Sequence, residues 1–105
     1  MSSPISPPDV LFLSATVVTG DPATAPYIAD VLVSSGLIKE ITPPGSTSPP
    51  PHARVIEAKG HYLTPGFIDM HAHSDLYLLT HPDHEPKISQ GCTVSLPNLP
   101  PTFQA

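Results

Sequence analysis

Two histidines one residue apart, His71 and His73, sit in the stretch GFIDMHAHSDLYLL that runs from Gly66 to Leu79. Side chains alternate along a strand, so residues i and i+2 leave the same face. Asp69, His71 and His73 then share one side, and Asp75 joins them if the extended backbone persists. Met70 and Ala72 point the other way. Two imidazoles at the end of one strand can reach a common cation. Neutral imidazole is a favoured Zn²⁺ ligand, and a ligating ring usually needs an acceptor on its second nitrogen to fix the tautomer. Asp69 and Asp75 are candidates for that duty. Spacing alone is weak ground, because H-x-H also arises by chance and incidental histidines are the commoner case.

The elements that must position this pair are read from apolar runs and breakers. Pro65 and Gly66 interrupt the chain, and residues 67–71 then read as a buried strand. Ser74 and Asp75 open a loop with Leu76, Leu78 and Leu79, followed by Pro82. Residues 83–90 suit a short amphipathic helix ending at Gly91, with Pro86 tolerable only in its first turn. Residues 91–96 begin like a strand, but Pro97, Pro100 and Pro101 halt it. Upstream, residues 10–18, 27–33, 37–41, 54–58 and 61–64 are short apolar or β-branched runs set between turn signals. That pattern predicts a β-meander with a structural role, including a hairpin turn at Ser34, Ser35 and Gly36. Residues 43–51 (PPGSTSPPP) have the composition of an extended spacer.

Composition narrows the function classes. The chain has 105 residues, 39% of them apolar, with sixteen prolines and no Trp, which suits one small domain or part of a larger one. Its formal charge is −5, and Lys39, Arg54, Lys59 and Lys87 are scattered. Nucleic acid and anionic membrane both call for clustered positive charge, so neither is expected as a partner. No apolar run is long enough to span a bilayer. The N-terminus lacks a basic region before an apolar core, so no secretory leader is expected. A lone cysteine, Cys92, suits a reducing compartment, and the expected location is cytoplasmic.

A resemblance adds to this reading. LTPGFIDMHAH, residues 63–73, resembles the P-G-x-I-D-x-H-x-H signature that starts the barrel of the amidohydrolase superfamily. The continuations HSDLYLLTHPD (73–83) and KISQGCT (87–93) resemble the D-aminoacylase, or N-acyl-D-amino-acid deacylase, branch. DVLVSSGLIKEI (30–41) and VIEAKG (55–60) are similar to the N-terminal β-sandwich strands of these enzymes. The likeness runs from about Asp9 to Thr93.

That resemblance implies a mainly β chain: the N-terminal part of a small β-sandwich, then the first βα unit of an incomplete (β/α)8 metallo-hydrolase barrel. The divisions are a disordered lead-in at 1–8, a sandwich flank at 9–62 with a Pro-rich loop at 43–52, the barrel start at 63–93, and an irregular tail at 94–105. It also implies that His71 and His73 are ligands of Zn²⁺ at the C-terminal end of the first barrel strand, where barrel active sites lie. The implied reaction is hydrolysis of a C–N bond other than a peptide bond, on a small N-acyl amino acid or related amide. The family's basic aspartate has no counterpart in this sequence, so no catalytic residue is assigned. Its metal-ligating cysteine falls near Pro100, and that role is not carried to Cys92. A full barrel needs about 200 residues or more, so the site is expected to be incomplete and the chain inactive alone. The tail beyond Thr93 loses the likeness, and a truncated or misframed continuation is expected there.

His81 and His84 are read as solvent-exposed loop histidines, and His52 and His61 as bystanders. Cys92 is read as a small buried apolar-like residue. Asp69 is read as hydrogen-bonded for structure, or as a histidine's partner. Two other functions fit the same residues: a dihydropyrimidinase- or dihydroorotase-like cyclic amidohydrolase, or a non-catalytic remnant with a Pro-rich interaction segment.

Overall fold

The computed structural model describes residues 6–72 and 79–97. Contacts divide the chain after Pro65 into two units. Most of the expected lead-in and the last residues of the expected tail lie outside the described residues, as do His73 and Asp75.

In the first unit, β1 (Val10–Val17), β2 (Tyr27–Ser34) and β3 (Leu37–Thr42) form the antiparallel meander announced by their apolar runs. Ser34 faces Leu37 across a loop of Ser35 and Gly36, at φ 52° and 76°. Positive φ at both positions makes a type I′ turn, whose twist matches that of the strands it joins.

The meander stops at β3, which corrects the expectation for the next strands. β4 (Arg54–Glu57) pairs in parallel with β1 on the edge opposite β2, giving the order β3-β2-β1-β4. β5 (Tyr62–Leu63) pairs in parallel with β1 further along the same edge. Two antiparallel steps leave β3 running the same way as β1. A strand parallel to β1 therefore needs a long crossover rather than a tight turn. The Pro-rich residues 43–53 supply it, and their prolines deny the crossover a helix. Between β4 and β5 the chain makes one turn at Gly60 (φ 80°), and His61 donates its N–H back to Ala58 O at 2.9 Å.

Small side chains fill the core. Ala15 and Val17 of β1 pack with Ala29 and Val31 of β2 and with Ala58, flanked by Phe12, Val33 and Leu63. The β1–β2 register slips between Phe12 and Ala15, where Ser14 takes φ 54°. This is a bulge, and its amide loses a ladder partner. Asp30, only 1% exposed, meets that need. Its Oδ1 accepts the Ser14 N–H at 2.8 Å, and its Oδ2 accepts the Gly45 N–H of the crossover at 2.8 Å. One buried carboxylate thus fastens both the bulge and the crossover.

Asp30→Ala strands two amides, and losing a buried partner costs about 1–3 kcal/mol per group. The expected outcome is a clear fall in the urea midpoint with the m-value unchanged. Asp30→Asn, which keeps one carbonyl acceptor, is expected to lose less. Equal midpoints for wild type and Asp30→Ala would refute this role.

Candidate metal centre

The second unit holds the histidine-bearing strand. β6 (Phe67–Ala72) and β7 (Cys92–Pro97) pair in parallel, with the short helix α1 (Glu85–Ile88) in the connection. Pro86 falls in the first turn of α1, where a missing N–H does no harm. Gly91, at φ 87°, turns the chain out of the helix, and its carbonyl accepts the Phe67 N–H at 2.8 Å. At Gly66 the strands come so close that a Cβ would run into the side chain of Thr93. Glycine is what lets β6 start alongside β7.

Three expectations change here. The helix is shorter than residues 83–90. β7 bears out the strand start expected at 91–96, and it runs to Pro97, through the first residues assigned to the irregular tail. Ladder bonds to β6 hold that stretch despite its modest β-propensity, and proline at its last position removes one donor. β6 was read as buried, yet Phe67, Ile68 and Met70 are 58%, 59% and 71% exposed. A parallel strand is covered only when layers lie on both faces. Among the described residues of this unit, α1 packs on the pair, against β7.

The ladder is irregular at the histidine. Pairing steps from Asp69↔Ser95 to Ala72↔Pro97, so β6 carries an extra residue there. The alternation expected from Asp69 to His71 is thus interrupted by a bulge, a feature that re-aims the residues around it. His71 is exposed near the C-terminal end of β6. Its backbone N–H donates to Asp69 Oδ1 at 3.2 Å, and Asp69 Oδ2 accepts from Lys87 Nζ of α1. Asp69 is thus tied into structure through the main chain of His71. Nothing in the sequence pointed to Lys87, because eighteen positions separate the two residues and no periodicity links them.

The other candidates disperse. His84 is 8% exposed, which corrects its reading as a solvent-exposed loop residue. It occupies the N-cap of α1 in a left-handed conformation (φ 46°), and its carbonyl accepts the Lys87 and Ile88 amides. That position sets it beside a cleft it lines with Cys92 and Ser95, whose Oγ is buried without a partner. His81 is exposed, its Nδ1 2.9 Å from Thr80 Oγ1. Cys92 is half-buried, which corrects its reading as a buried residue. In the first unit His52 and His61 are both exposed, and His61 Nδ1 lies 3.2 Å from Lys59 O. Among the described residues no three His, Cys, Asp or Glu side chains group where they could hold a metal ion. His71 fits a borderline cation as an exposed imidazole at a strand end, and His73, its expected companion, lies outside the described residues.

Comparison with known proteins follows the same segment. The Amidohydrolase family matches residues 54–98. N-acyl-D-aspartate deacylase from Alcaligenes xylosoxydans xylosoxydans is 41% identical over 85 residues, covering 81% of this chain and 16% of that protein. Dihydroorotase from Staphylococcus aureus (strain Mu50) is 42% identical over 45 residues, covering 43% of this chain and 10% of the relative. A D-aminoacylase variant solved in complex with copper chloride superposes with a TM-score of 0.68 at 39% identity, over 85% of this chain and 18% of its own. A second D-aminoacylase structure, described for its binuclear metal centre, gives the same values. The chain therefore spans less than a fifth of the length of these proteins.

Electrostatics at Asp69 and Lys87 give a pH signature. The hydrogen bond from Lys87, helped by the His71 amide, holds the Asp69 carboxyl below its ordinary 3.8. The same bond raises Lys87 above its ordinary 10.5. A carboxyl lowered only in the folded chain adds stability that is complete above pH 3.8 and is lost as pH falls through the lowered value. A raised lysine adds stability that is complete below pH 10.5 and is lost as pH rises through the raised value. Urea midpoints across this range are expected to fall at both ends, and Lys87→Met is expected to flatten both falls. The same acid and alkaline falls in Lys87→Met as in wild type would exclude the pair as their source.

Proposed function

We propose that this chain, which matches the amidohydrolase family over residues 54–98 and is similar to D-aminoacylase-type enzymes over most of its length, is part of a metal-dependent hydrolase of carbon–nitrogen bonds other than peptide bonds. The observation that carries the reading is the place of His71. It is exposed near the C-terminal end of a parallel strand, inside the family's matched segment. In barrels built from such strands the chemistry gathers at that end.

His71 and His73 are the residues that would hold the cation, which we take to be Zn²⁺, a metal for which imidazole is a preferred donor. When bound, such an ion would lower the pKa of a water so that hydroxide is available as nucleophile, and would polarise the amide carbonyl. The chain's own contribution is to fix His71 at the strand end. Stable zinc sites use three or four protein ligands, so the pair alone binds loosely and the chain alone does not turn over substrate.

The substrate class we favour is a small N-acyl-D-amino acid, because the deacylase likeness extends over far more of the chain than the dihydroorotase likeness. A net charge of −5 with dispersed basic residues supports a small molecule rather than nucleic acid as the partner. Among the described residues no helix is long and apolar enough to cross a membrane. The lone Cys92 supports a reducing, cytoplasmic setting.

Calorimetric titration of the chain with Zn²⁺ tests the reading. Weak binding is expected, and a His71→Ala, His73→Ala double variant should abolish it. Zinc binding that survives the double substitution would sink the assignment. With added zinc, hydrolysis of an N-acyl-D-aspartate is expected to stay at the level of the double variant. Turnover above that level would disprove the claim of inactivity.

A further inference from the structure

We infer that Lys87 and Asp69 are positioning residues that set the backbone at His71 for metal binding, an inference that rests on the metal-site reading above. The extra residue on β6 between Asp69 and Ala72 puts the ladder out of step around His71. A bulged strand bends and can swing its side chain, so a ligand there needs a local tie. Asp69 supplies one, because its Oδ1 accepts the His71 N–H at 3.2 Å. Such a bond from a short carboxylate to the amide two residues on closes a small ring and limits the backbone between them.

A carboxylate held by one oxygen can still rotate. Here Lys87 Nζ engages the other oxygen, so both are committed. Lys87 itself is fixed by α1, whose amides at Lys87 and Ile88 bond to His84 O at 3.0 and 3.2 Å. The helix packs on β7, the strand against which β6 is registered. The linkage therefore runs from the connecting helix through Lys87 and Asp69 to the main chain of His71. An ordinary surface ion pair would leave one carboxylate oxygen to water and touch no ligand backbone. This arrangement does neither.

The test is Zn²⁺ titration of the full chain by calorimetry, with Co²⁺ absorption reporting ligand geometry. Lys87→Met is expected to weaken Zn²⁺ binding on the order of tenfold, the lower end of what loss of a ligand's supporting partner does, and to alter the Co²⁺ visible band. Lys87→Arg, which keeps the ion pair, should restore most of both. Asp69→Glu separates the two roles. It keeps a carboxylate for Lys87, but its longer side chain does not close the short ring to His71 N–H. It should therefore weaken binding as Lys87→Met does. Unchanged affinity and spectrum in Lys87→Met or Asp69→Glu would overturn the inference, while the histidine double variant still decides the metal site separately. If Lys87→Met fails to fold, Asp69→Glu decides alone.

Discussion

Parallel pairing of β6 with β7 is the constraint on which the candidate site depends. An isolated strand has no means of holding a side chain still, since its amides and carbonyls go to water and its dihedrals stay free. Pairing fixes the backbone from Phe67 to Ala72, and that fixes where His71 emerges. The pairing in turn depends on two glycines for different reasons. Gly66 leaves room where Thr93 crowds the start of β6, and Gly91 adopts the positive φ that lets the chain turn from α1 into β7. Either position filled by a larger residue acts on the imidazole from several residues away.

The two units solve the same local problem in the same way. Each has a strand with an extra residue, at Ser14 in β1 and between Asp69 and Ala72 in β6. Each places an aspartate so that one oxygen accepts a main-chain N–H at the irregularity. The second oxygen reaches a different element: the crossover at Gly45 in one case, Lys87 of α1 in the other. The surroundings differ in a way that matters. Asp30 is buried and bonded only to amides, so its role is structural. Asp69 is partly open to solvent and faces a cation, so it remains sensitive to charge and pH. The same side chain serves as a rivet in one unit and as an adjustable tie in the other.

Local features of the fold were legible in the sequence, whereas partnerships were not. Apolar runs located β1 to β6 within a residue or two, because a half-buried strand imposes its pattern on every second position. Gly36 announced the turn because glycine accepts the positive φ that a tight hairpin demands, whereas the positive φ of Ser35 was not legible. The parallel docking of β4 and β5 on β1 left no mark, since a strand reads the same whichever neighbour it meets. The start of β7 was legible in residues 91–96, but the irregular tail expected from 94 onward followed the prolines, whereas pairing with β6 carries the strand through Pro97. At the candidate site, the apolar run after Pro65 and Gly66 located the strand that carries His71. Lys87 was invisible, because a long-range ion pair carries no periodic signal. His84 was not legible as buried, because a left-handed N-cap position carries no periodic signal that separates it from a loop histidine.

Exposure along β6 bears on how the histidine is held. Phe67, Ile68 and Met70 lie more than half exposed, although a parallel strand of this composition belongs to a sheet covered on both sides. Burial of such side chains ordinarily contributes about 1.5–3 kcal/mol each, and most of that contribution is absent among the described residues of this unit. What remains is directional: ladder bonds to β7, the Phe67–Gly91 bond, and the polar linkage through Asp69 and Lys87. Directional ties orient a strand end well but stabilise it little, because each exchanges a bond to water for a bond to protein. His71 is therefore better oriented than it is anchored. Orientation and permanence are thus separate properties of this strand end: polar ties supply the first, and apolar burial, which β6 has little of among the described residues, supplies the second.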